Sequence, residues 1–350
     1  ASGNFVSAGE LLLEEQRTNL YVYSEDFSQT EWFKGRTTIT TNAATAPDGT
    51  LTADAVTETT DSGEHYVNDT FDVTSGVTYT VSWFAKANGR TYVYCKVFGD
   101  FPTSRGTIDL NTGEFTLISS PGITDTSWKD VGNGWYKVSF TATASGTGTG
   151  QILVGMAQDA TTPSYAGDTS LGMYFWGAQV EAGSFPTSYI PTQGSTATRA
   201  ADVSTSSSNT FGNSWYDQEQ GTVFASIKGY SRPSGNTRIF GFNDGTVDNR
   251  MELLFTGSII SAFGQSSGST IFNLNVTGST NGAFAYAQDD IAFSADGENP
   301  ATNNSANIPT VTQSTIGNWF NNTGQLNGTI RRLAYWSRRL SNDTLQTLTS

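Results

Sequence analysis

The chain has 350 residues, more than the roughly 100–200 of a usual single domain, so its length predicts two domains. Only 14% of the residues are charged, against about 25% in an average soluble protein, and 18 basic residues against 32 acidic ones give a formal net charge of −14. This balance argues against a nucleic-acid partner, which needs a basic face toward the phosphates. The 12% of aromatic residues argue against disorder.

The chain has one cysteine, Cys95, and one histidine, His65. A lone cysteine rules out an intrachain disulfide and a thiolate zinc cluster, and a lone histidine rules out any site that needs two imidazoles. The polar neighbours of His65 predict an exposed side chain. No apolar run approaches the roughly 20 residues of a membrane helix, so we expect no insertion into a membrane.

In the first half of the chain, apolar and polar residues alternate over short stretches bounded by Gly, Asp, Asn and Ser. This pattern is typical of half-buried antiparallel strands. Asp109 to Glu114 reads as a tight hairpin turn. Many short strands with regular turns predict an all-β fold. The clearest strands are predicted at Val77 to Lys86, Thr91 to Phe98, Gly134 to Ala142, Gln151 to Gln158 and Met173 to Glu181.

The alternation stops at Gln193 to Thr210, which is nearly all Ser, Thr, Ala, Gly and Asn and predicts a linker. The sequence therefore predicts two antiparallel β-sandwich (jelly-roll) domains in tandem, residues 1–192 and 211–350, joined by residues 193–210. One short helix is predicted after Ser341, its N-cap. Later strands are predicted at Gly221 to Lys228, Arg238 to Phe242, Arg250 to Phe255, Ala283 to Tyr286, Ile291 to Ala295 and Thr329 to Trp336.

Two of the predicted strands carry large aromatic side chains opposite their apolar face. Aromatic rings stack on the apolar face of a sugar while polar neighbours bond its hydroxyls, so this combination predicts a carbohydrate-binding surface. The alternative is that a loop or the other half of the chain covers these rings. Trp83 lies on the same face of its predicted strand as Tyr79 and Val81, so we predict that it is in the core. The candidate sugar-binding residues are Tyr92, Tyr94, Lys96 and Phe98 on one strand and Trp135 and Lys137 on the other.

Acidic residues supply candidate metal ligands. Sandwich domains often hold a structural calcium ion, a hard cation that prefers carboxylate and carbonyl oxygens. The alternative is that these acids form turns or are solvated, since no EF-hand spacing occurs. Hydrolysis of a glycosidic bond would need a carboxylate pair in a cleft, and nothing else points to an active site, so we predict a non-catalytic protein that requires no cofactor. The candidate calcium ligands are Glu25, Asp26, Asp48 and Glu181, with Asp54 in the same acidic stretch as the first three.

Four arginines surround Trp336 late in this acidic chain. Such a cluster predicts a site for an acidic polysaccharide or an acidic partner surface. The alternative is that the arginines neutralise the protein's own carboxylates. They are Arg331, Arg332, Arg338 and Arg339.

Several motifs resemble a family of bacteriophage and prophage structural proteins. The first half begins with an opening motif, which consists of LLLEEQRTNL at Leu11–Leu20 followed by Tyr23–Phe27 and Trp32. It ends with a closing motif, which consists of Phe175–Gly183, Thr187–Thr192 and Thr198–Val203. Pro47–Thr50, between the two motifs, also matches the family pattern. This half is similar to a carbohydrate-binding-module jelly roll of the galactose-binding-like type. The second half resembles a concanavalin A-like (laminin-G-like) lectin sandwich through Asn243–Thr246, Asn249–Arg250 and Asn327–Ser341.

The resemblance implies an adhesin of the tail-fibre, tail-tip or head-spike kind, carried by a phage or a phage-like gene transfer agent. Its expected role is to attach the particle to a host cell-surface polysaccharide such as a capsule, so its expected location is the virion surface. Expected partners are that polysaccharide, other particle proteins and further copies of the chain in a homo-oligomer. Because the sequence shows no coiled coil, β-helix or chaperone segment, trimerisation and particle attachment are expected to depend on another protein. Two alternatives remain, a binding appendage of a secreted polysaccharide-degrading enzyme and a structural decoration protein that binds no sugar.

Overall fold

The computed structural model describes residues 10–206, 215–230, 236–321 and 323–350. The regular secondary structure of the described residues is β-strand except for one short helix, which confirms the predicted all-β class. The chain divides into two compact units. We call Arg17–Arg199 the N-terminal sandwich, and the segment ending at Gln16 together with Ala200–Ser350 the C-terminal sandwich. Among the described residues, no helix has the length and apolar character of a membrane span.

Strands are numbered along the chain, and β1 (Leu11–Leu13) belongs to the C-terminal sandwich. The strands of the N-terminal sandwich are β2 (Arg17–Asn19), β3 (Phe33–Gly35), β4 (Thr37–Ala44), β5 (Ala53–Glu58), β6 (Ser62–Val73), β7 (Thr78–Asn88), β8 (Tyr92–Gly99), β9 (Ser104–Asp109), β10 (Phe115–Ser119), β11 (Thr124–Gly132), β12 (Trp135–Thr143), β13 (Gly148–Ala157), β14 (Ser164–Ala166), β15 (Gly172–Ala182) and β16 (Ala197–Arg199). All of them except β2 and β16 form a seven-stranded sheet of order β10-β9-β8-β13-β6-β14, with β3 also on β6, and a six-stranded sheet of order β11-β12-β7-β15-β5-β4. Neighbouring strands in both sheets run antiparallel.

One apolar core fills the space between these two sheets. Trp83 from the six-stranded sheet is fully buried there, as the sequence predicts, and so is Phe140 of the same sheet. Val93, Cys95 and Val97 of β8 point into the same core from the other sheet. The alternation of apolar and polar residues therefore identifies the inward faces of β7, which carries Trp83, and of β8 correctly. The predicted hairpin also forms, because the Asp109 N–H donates to the Glu114 carbonyl across the turn.

His65 is buried, so the prediction that its side chain is exposed was wrong. It lies on β6 and shares the inward face of that strand with Val67. Its Nδ1 lies 2.9 Å from the Arg36 carbonyl oxygen and its Nε2 lies 3.3 Å from that of Tyr165. The polar neighbours in sequence misled the prediction because they occupy a long strand rather than an exposed loop.

The C-terminal sandwich has the same two-layer plan. Its remaining strands are β17 (Thr205–Ser206), β18 (Gln220–Tyr230), β19 (Thr237–Asn243), β20 (Arg250–Thr256), β21 (Ile259–Ser266), β22 (Ser269–Asn275), β23 (Asn281–Ala287), β24 (Ile291–Ala295), β25 (Ala301–Asn303), β26 (Gln313–Ile316) and β27 (Gly328–Trp336). One six-stranded sheet has the order β1-β27-β18-β23-β24-β25 and the other β17-β26-β19-β20-β21-β22. Residues such as Phe242, Leu253 and Phe293 form the core between them.

The predicted helix is present as α1 (Asn342–Thr349). Ser341 caps it, because its hydroxyl oxygen accepts a hydrogen bond from the Thr344 N–H. Leu345 of the helix packs with Phe224 and Ala334 on the outer face of one sheet, and Trp336 lies against the same cluster. The helix therefore covers a part of the sheet that would otherwise face water.

Strand β1 precedes the N-terminal sandwich in sequence but belongs to a sheet of the C-terminal sandwich. Leu11 pairs with Ile330 and Leu13 with Gly328 at the edge of a sheet. The Glu14 N–H donates to Asp202, and the Glu15 N–H donates to Asn327. The N-terminal sandwich is thus inserted into the sequence of the C-terminal sandwich, whereas the sequence predicted two consecutive domains with the first starting at residue 1.

The predicted linker, residues 193–210, is paired over much of its described part. Arg17 pairs with Arg199 and Asn19 with Ala197, so β2 and β16 form a two-stranded ribbon. β17 then pairs with β26 at the edge of the C-terminal sandwich. Residues 207–210 lie outside the described residues. Ser- and Thr-rich composition indicated low burial here, but it carries no information about backbone pairing.

We expect Leu13→Ala to destabilise the C-terminal sandwich by about 2–3 kcal/mol, because truncating a buried leucine leaves a cavity. Leu13 is 3% exposed and belongs to the core of that sandwich. The matched control is Leu12→Ala on the same strand, since Leu12 is 47% exposed. Denaturant unfolding of both variants measures the difference, and equal effects of the two substitutions would contradict the docking of β1.

Candidate functional site

The two strands of the predicted sugar-binding surface lie in different sheets. β8 belongs to the seven-stranded sheet and β12 to the six-stranded sheet of the N-terminal sandwich. Both turn their other face toward the shared core. Their aromatic faces therefore point to opposite sides of the sandwich and do not form one surface.

On β8, the central ring of the predicted surface is covered. Tyr94 is completely buried, and its hydroxyl donates to a Glu64 carboxylate oxygen at 2.8 Å. Tyr92 and Phe98 are half-buried and pack in the same small cluster. The Lys96 ammonium lies 3.4 Å from the other Glu64 oxygen. Tyr94 is therefore not available to stack on a sugar, whereas its neighbours keep part of their surface.

On β12, Trp135 is also buried. It is 1% exposed and packs with Phe84 and Trp176 in a second small core on the outer face of the six-stranded sheet. Its indole N–H donates to the Thr45 carbonyl at 2.9 Å. The Lys137 ammonium donates to the Thr187 carbonyl at 2.8 Å. The alternation placed both side chains on the correct face, but that face is covered by another part of the same sandwich.

Two of the four candidate calcium ligands serve local structure. Glu181 is fully buried, and its carboxylate accepts hydrogen bonds from the N–H and hydroxyl of Thr187 and from the amide of Gln179. Asp48 is exposed and accepts from the N–H and hydroxyl of Thr50 in its own turn. Among the described residues, no group of three or more His, Cys, Asp or Glu side chains could hold a metal ion.

The other two candidate ligands, Glu25 and Asp26, line a cavity of about 650 Å³ in the N-terminal sandwich, which we call the acidic cavity. Its volume falls within the roughly 300–1,000 Å³ of ligand pockets. Calcium binding therefore stays a prediction, now centred on these two residues. The acidic cavity is lined by Tyr23, Glu25, Asp26, Ser28, Gln29, Thr41, Asn42, Thr52, Asp54, Pro191, Thr192 and Gln193.

A buried serine fixes two walls of the acidic cavity against each other. The Ser24 hydroxyl lies 2.6 Å from the Tyr189 hydroxyl and accepts from the Thr192 N–H at 2.8 Å. Tyr189 in turn donates to Glu25 at 2.8 Å. The segment from Tyr23 to Asp26 and the segment from Pro191 to Gln193 are thus held by hydrogen bonds that do not involve a ligand. Such a preformed cavity loses little conformational entropy when it binds.

Asp26 is held in its ionised form by its neighbours. Its carboxylate accepts from the Ser28 N–H at 3.0 Å, from the Ser28 hydroxyl at 2.6 Å and from the Gln29 amide at 2.6 Å. Partial burial opposes ionisation, but these hydrogen bonds outweigh it and hold the pKa of Asp26 below its ordinary value. The same bonds fix the side chains of Ser28 and Gln29 at the edge of the acidic cavity.

Asp54 behaves in the opposite way. Burial raises the pKa of its carboxyl to about 6, and the charges of Asp26 and Glu25 act in the same direction. Two backbone donors, the N–H groups of Phe27 at 2.9 Å and Asn42 at 3.0 Å, oppose the increase. The acidic cavity therefore gains negative charge as the pH rises through about 6.

The lining of the acidic cavity fits a neutral ligand rich in hydroxyl groups. Three carboxylates and three amides can accept or donate hydrogen bonds, and the ring of Tyr23 offers an apolar surface. None of the residues that line it is basic, so the acidic cavity would repel an anionic ligand.

The sequence analysis identified two residues of the acidic cavity, Glu25 and Asp26, as calcium candidates. It did not identify the part of the lining that Thr41, Asn42 and Gln193 form. The sequence signals were the motifs Tyr23–Phe27 and Thr187–Thr192, to which the sequence analysis assigned no binding role.

The predicted arginine cluster around Trp336 is partly neutralised. Arg339 lies 2.7 Å from an Asp290 oxygen, and Arg331 lies 3.6 Å from a Glu10 oxygen. Arg332 lies over the ring of Phe224, 5.5 Å from its centroid. For Arg331 and Arg339 these contacts agree with the alternative that the arginines neutralise the protein's own carboxylates.

Comparison with known proteins gives no family assignment. No protein-family model matches the chain, and no curated protein sequence matches it. Among solved structures, the chain is similar to the full extracellular region of zebrafish Gpr126/Adgrg6, with 11% identity and a TM-score of 0.29 over 90% of this chain and 37% of that one. It is also similar to domains LG4-5 of the mouse laminin alpha1 chain, with 10% identity and a TM-score of 0.28 over 98% of this chain and 95% of that one. The chain thus spans little more than a third of the zebrafish chain, and similarities this low carry no argument about function.

Proposed function

We propose that the protein is a non-catalytic carbohydrate-binding adhesin whose acidic cavity binds a neutral sugar of a cell-surface polysaccharide. The acidic cavity is the observation that carries this proposal, because it joins carboxylates, amides and an aromatic ring on a rigid β scaffold. On this proposal the protein belongs to a phage or phage-like particle and attaches it to its host, as the sequence resemblance implies. Calcium is not required for this role.

Hydrogen bonds within the protein support binding rather than bond cleavage. Both oxygens of Asp26 and both oxygens of Asp54 accept hydrogen bonds from other groups of the protein. Asp26 Oδ1 accepts two of these hydrogen bonds, whereas Asp26 Oδ2 and the two Asp54 oxygens accept one each and keep a lone pair that can accept a sugar hydroxyl. Many copies on one particle would make weak single-site binding sufficient for attachment.

We expect binding of a neutral polysaccharide to weaken as the pH falls through about 6. Protonation of Asp54, whose pKa is raised to about 6, removes acceptor capacity from the acidic cavity. A ligand that donates to the carboxylate favours the ionised form, so affinity is highest above this pKa and is lost below it. Binding isotherms between pH 5 and pH 8 measure the change, and affinity that is constant across this range would contradict the role of Asp54.

The decisive experiment measures binding of the labelled full chain to capsulated bacteria, to capsule-deficient bacteria and to extracted capsular polysaccharide. Asp26→Asn, which removes a charge at the edge of the acidic cavity, is expected to weaken binding about tenfold. Asp130→Asn is the matched control, because Asp130 is an exposed acid outside the acidic cavity. Equal binding to both kinds of cell, or equal binding by both variants, would overturn the proposal.

The same experiment separates the alternatives. A decoration protein would bind neither cells nor polysaccharide at micromolar concentration. An appendage of a secreted enzyme would bind polysaccharide but would be absent from particles, which antibody labelling in electron micrographs tests directly.

A further inference from the structure

A second cavity lies in the C-terminal sandwich, on the outer face of the sheet that contains β19 and β20. Met251, Leu253 and Phe255 of β20 point into the core. The alternate residues, Arg250 and Glu252, therefore face outward, next to Arg238 on β19. We call this space of about 140 Å³ the arginine cavity; its polar lining includes Asn236, Arg238, Arg250, Glu252 and Asn273.

The arginine cavity carries an excess positive charge. One carboxylate, Glu252, lies between two guanidinium groups, 3.5 Å from Arg238 Nε and 3.2 Å from Arg250 Nε. All three side chains are well buried, with 12%, 11% and 4% of their surface exposed for Arg238, Arg250 and Glu252. Within the described part of the chain, no other carboxylate lies within 4 Å of either arginine. One positive charge thus stays uncompensated in a protein whose net charge is −14.

Aromatic rings hold the two guanidinium planes in place. Arg238 lies over the ring of Trp319, 4.3 Å from its centroid, and Arg250 lies 5.5 Å from the same centroid. Arg250 also lies 5.0 Å from the centroid of Phe263. Stacking of this kind leaves the edges of a guanidinium group free to donate hydrogen bonds in its plane.

In the part of the chain that the structure describes, two buried donors near the arginine cavity make no hydrogen bond, although one of them, Arg238 Nε, forms the ion pair with Glu252 at 3.5 Å. Arg238 Nε and the indole Nε1 of Trp319 are buried, and within the described residues neither makes a hydrogen bond. Arg238 uses Nη1 to donate to the Asn236 carbonyl, and Arg250 uses Nη1 to donate to the Val247 carbonyl. Buried donors without a hydrogen bond are rare in folded proteins, so both donors can accommodate an additional acceptor. The excess positive charge favours an anionic acceptor over a neutral one.

We propose that the arginine cavity binds the carboxylate of an acidic sugar residue, such as a hexuronate. A carboxylate matches the planar, two-pronged donor geometry of arginine. Asn236 and Asn273 can bond the sugar hydroxyls, and Phe263 supplies an apolar surface for the ring. This site is separate from the acidic cavity of the N-terminal sandwich, which suits neutral ligands, so either site can fail its test without the other.

The test follows the eight tryptophan indole N–H signals of the full chain by NMR during titration with sodium glucuronate, glucose and inorganic phosphate at equal ionic strength. Glucuronate is expected to shift the Trp319 signal in a saturable way, and glucose is expected to leave it unchanged. No shift with glucuronate would overturn the proposal, and so would an equal shift with glucose. An equal response to phosphate would overturn the assignment to a sugar acid.

Arg238→Gln is the informative variant, because it removes the excess charge but leaves Glu252 paired with Arg250, so the fold is expected to persist. Glucuronate binding should weaken about tenfold. Arg331→Gln is the matched control, since Arg331 lies on the same sandwich, is 50% exposed and pairs with Glu10. Glu252→Gln should strengthen binding, because it removes the carboxylate that competes with the ligand. Unchanged binding in Arg238→Gln would overturn the proposal, and if that variant does not fold, the titration of the unmodified chain decides alone.

Discussion

Trp135→Ala is expected to lower the free energy of unfolding of the N-terminal sandwich by about 3–5 kcal/mol. Trp135 is 1% exposed and packs with Phe84 and Trp176, so the substitution opens a large cavity in the second small core. It also leaves the Thr45 carbonyl without the indole N–H that it accepts at 2.9 Å. Calorimetric or denaturant unfolding of the full chain measures the loss.

Phe33→Ala provides the matched control for Trp135→Ala. Phe33 is an aromatic residue of the same sandwich but is 58% exposed, so its removal is expected to change stability by less than about 0.5 kcal/mol. A small effect of Trp135→Ala, similar to that of Phe33→Ala, would show that Trp135 lies at the surface. It would then restore Trp135 as a candidate for sugar stacking.

Glu58→Ala is expected to destabilise the N-terminal sandwich by about 3–5 kcal/mol, because it leaves Arg90, whose side chain is only 14% exposed, without its partner. Glu58 is completely buried, and its two oxygens accept from Arg90 at 2.6 and 3.1 Å. They also accept from the Tyr165 hydroxyl at 2.6 Å and the Asp168 N–H at 2.8 Å. Although burial opposes ionisation, these hydrogen bonds lower the pKa of Glu58, so the carboxylate is charged at neutral pH.

A double variant and an exposed pair show whether the buried charge causes the loss. Glu58→Leu combined with Arg90→Met removes both charges and should recover part of the stability. Glu10→Gln breaks the exposed pairs with Lys228 and Arg331 and should cost less than about 1 kcal/mol. If the double variant is no more stable than Glu58→Ala, the loss comes from packing and not from the unpaired Arg90.

The fold class could be predicted from the sequence because alternation and turn residues act locally. The strands, the hairpin after Asp109 and the helix capped by Ser341 all follow from neighbouring residues. Alternation also assigned the faces of Trp83 and Trp135 correctly. It could not show that the outer face at Trp135 is covered, because the covering residues, Ala46 and Trp176, are distant in sequence.

The two cavities were harder to predict for the same reason. Asp54 and Gln193 both line the acidic cavity, although they are far apart in the chain. In the C-terminal sandwich, Arg238 and Arg250 meet through the pairing of β19 with β20, and Trp319 joins them from another segment. Composition showed an acidic chain with a late arginine cluster, but it could not show which arginines would be buried together.

The insertion of the N-terminal sandwich also sets an order of events during synthesis. Leu11 leaves the ribosome long before its partner Ile330, 319 residues further along the chain, is made. The N-terminal sandwich is complete in the meantime and folds first, as N-terminal domains generally do. Once folded, it holds Arg17 next to Arg199 and so replaces a long loop by a short, closed one. We therefore expect the edge strand β1 to dock faster once the N-terminal sandwich has formed, so that a folding defect in the N-terminal sandwich delays completion of the C-terminal sandwich.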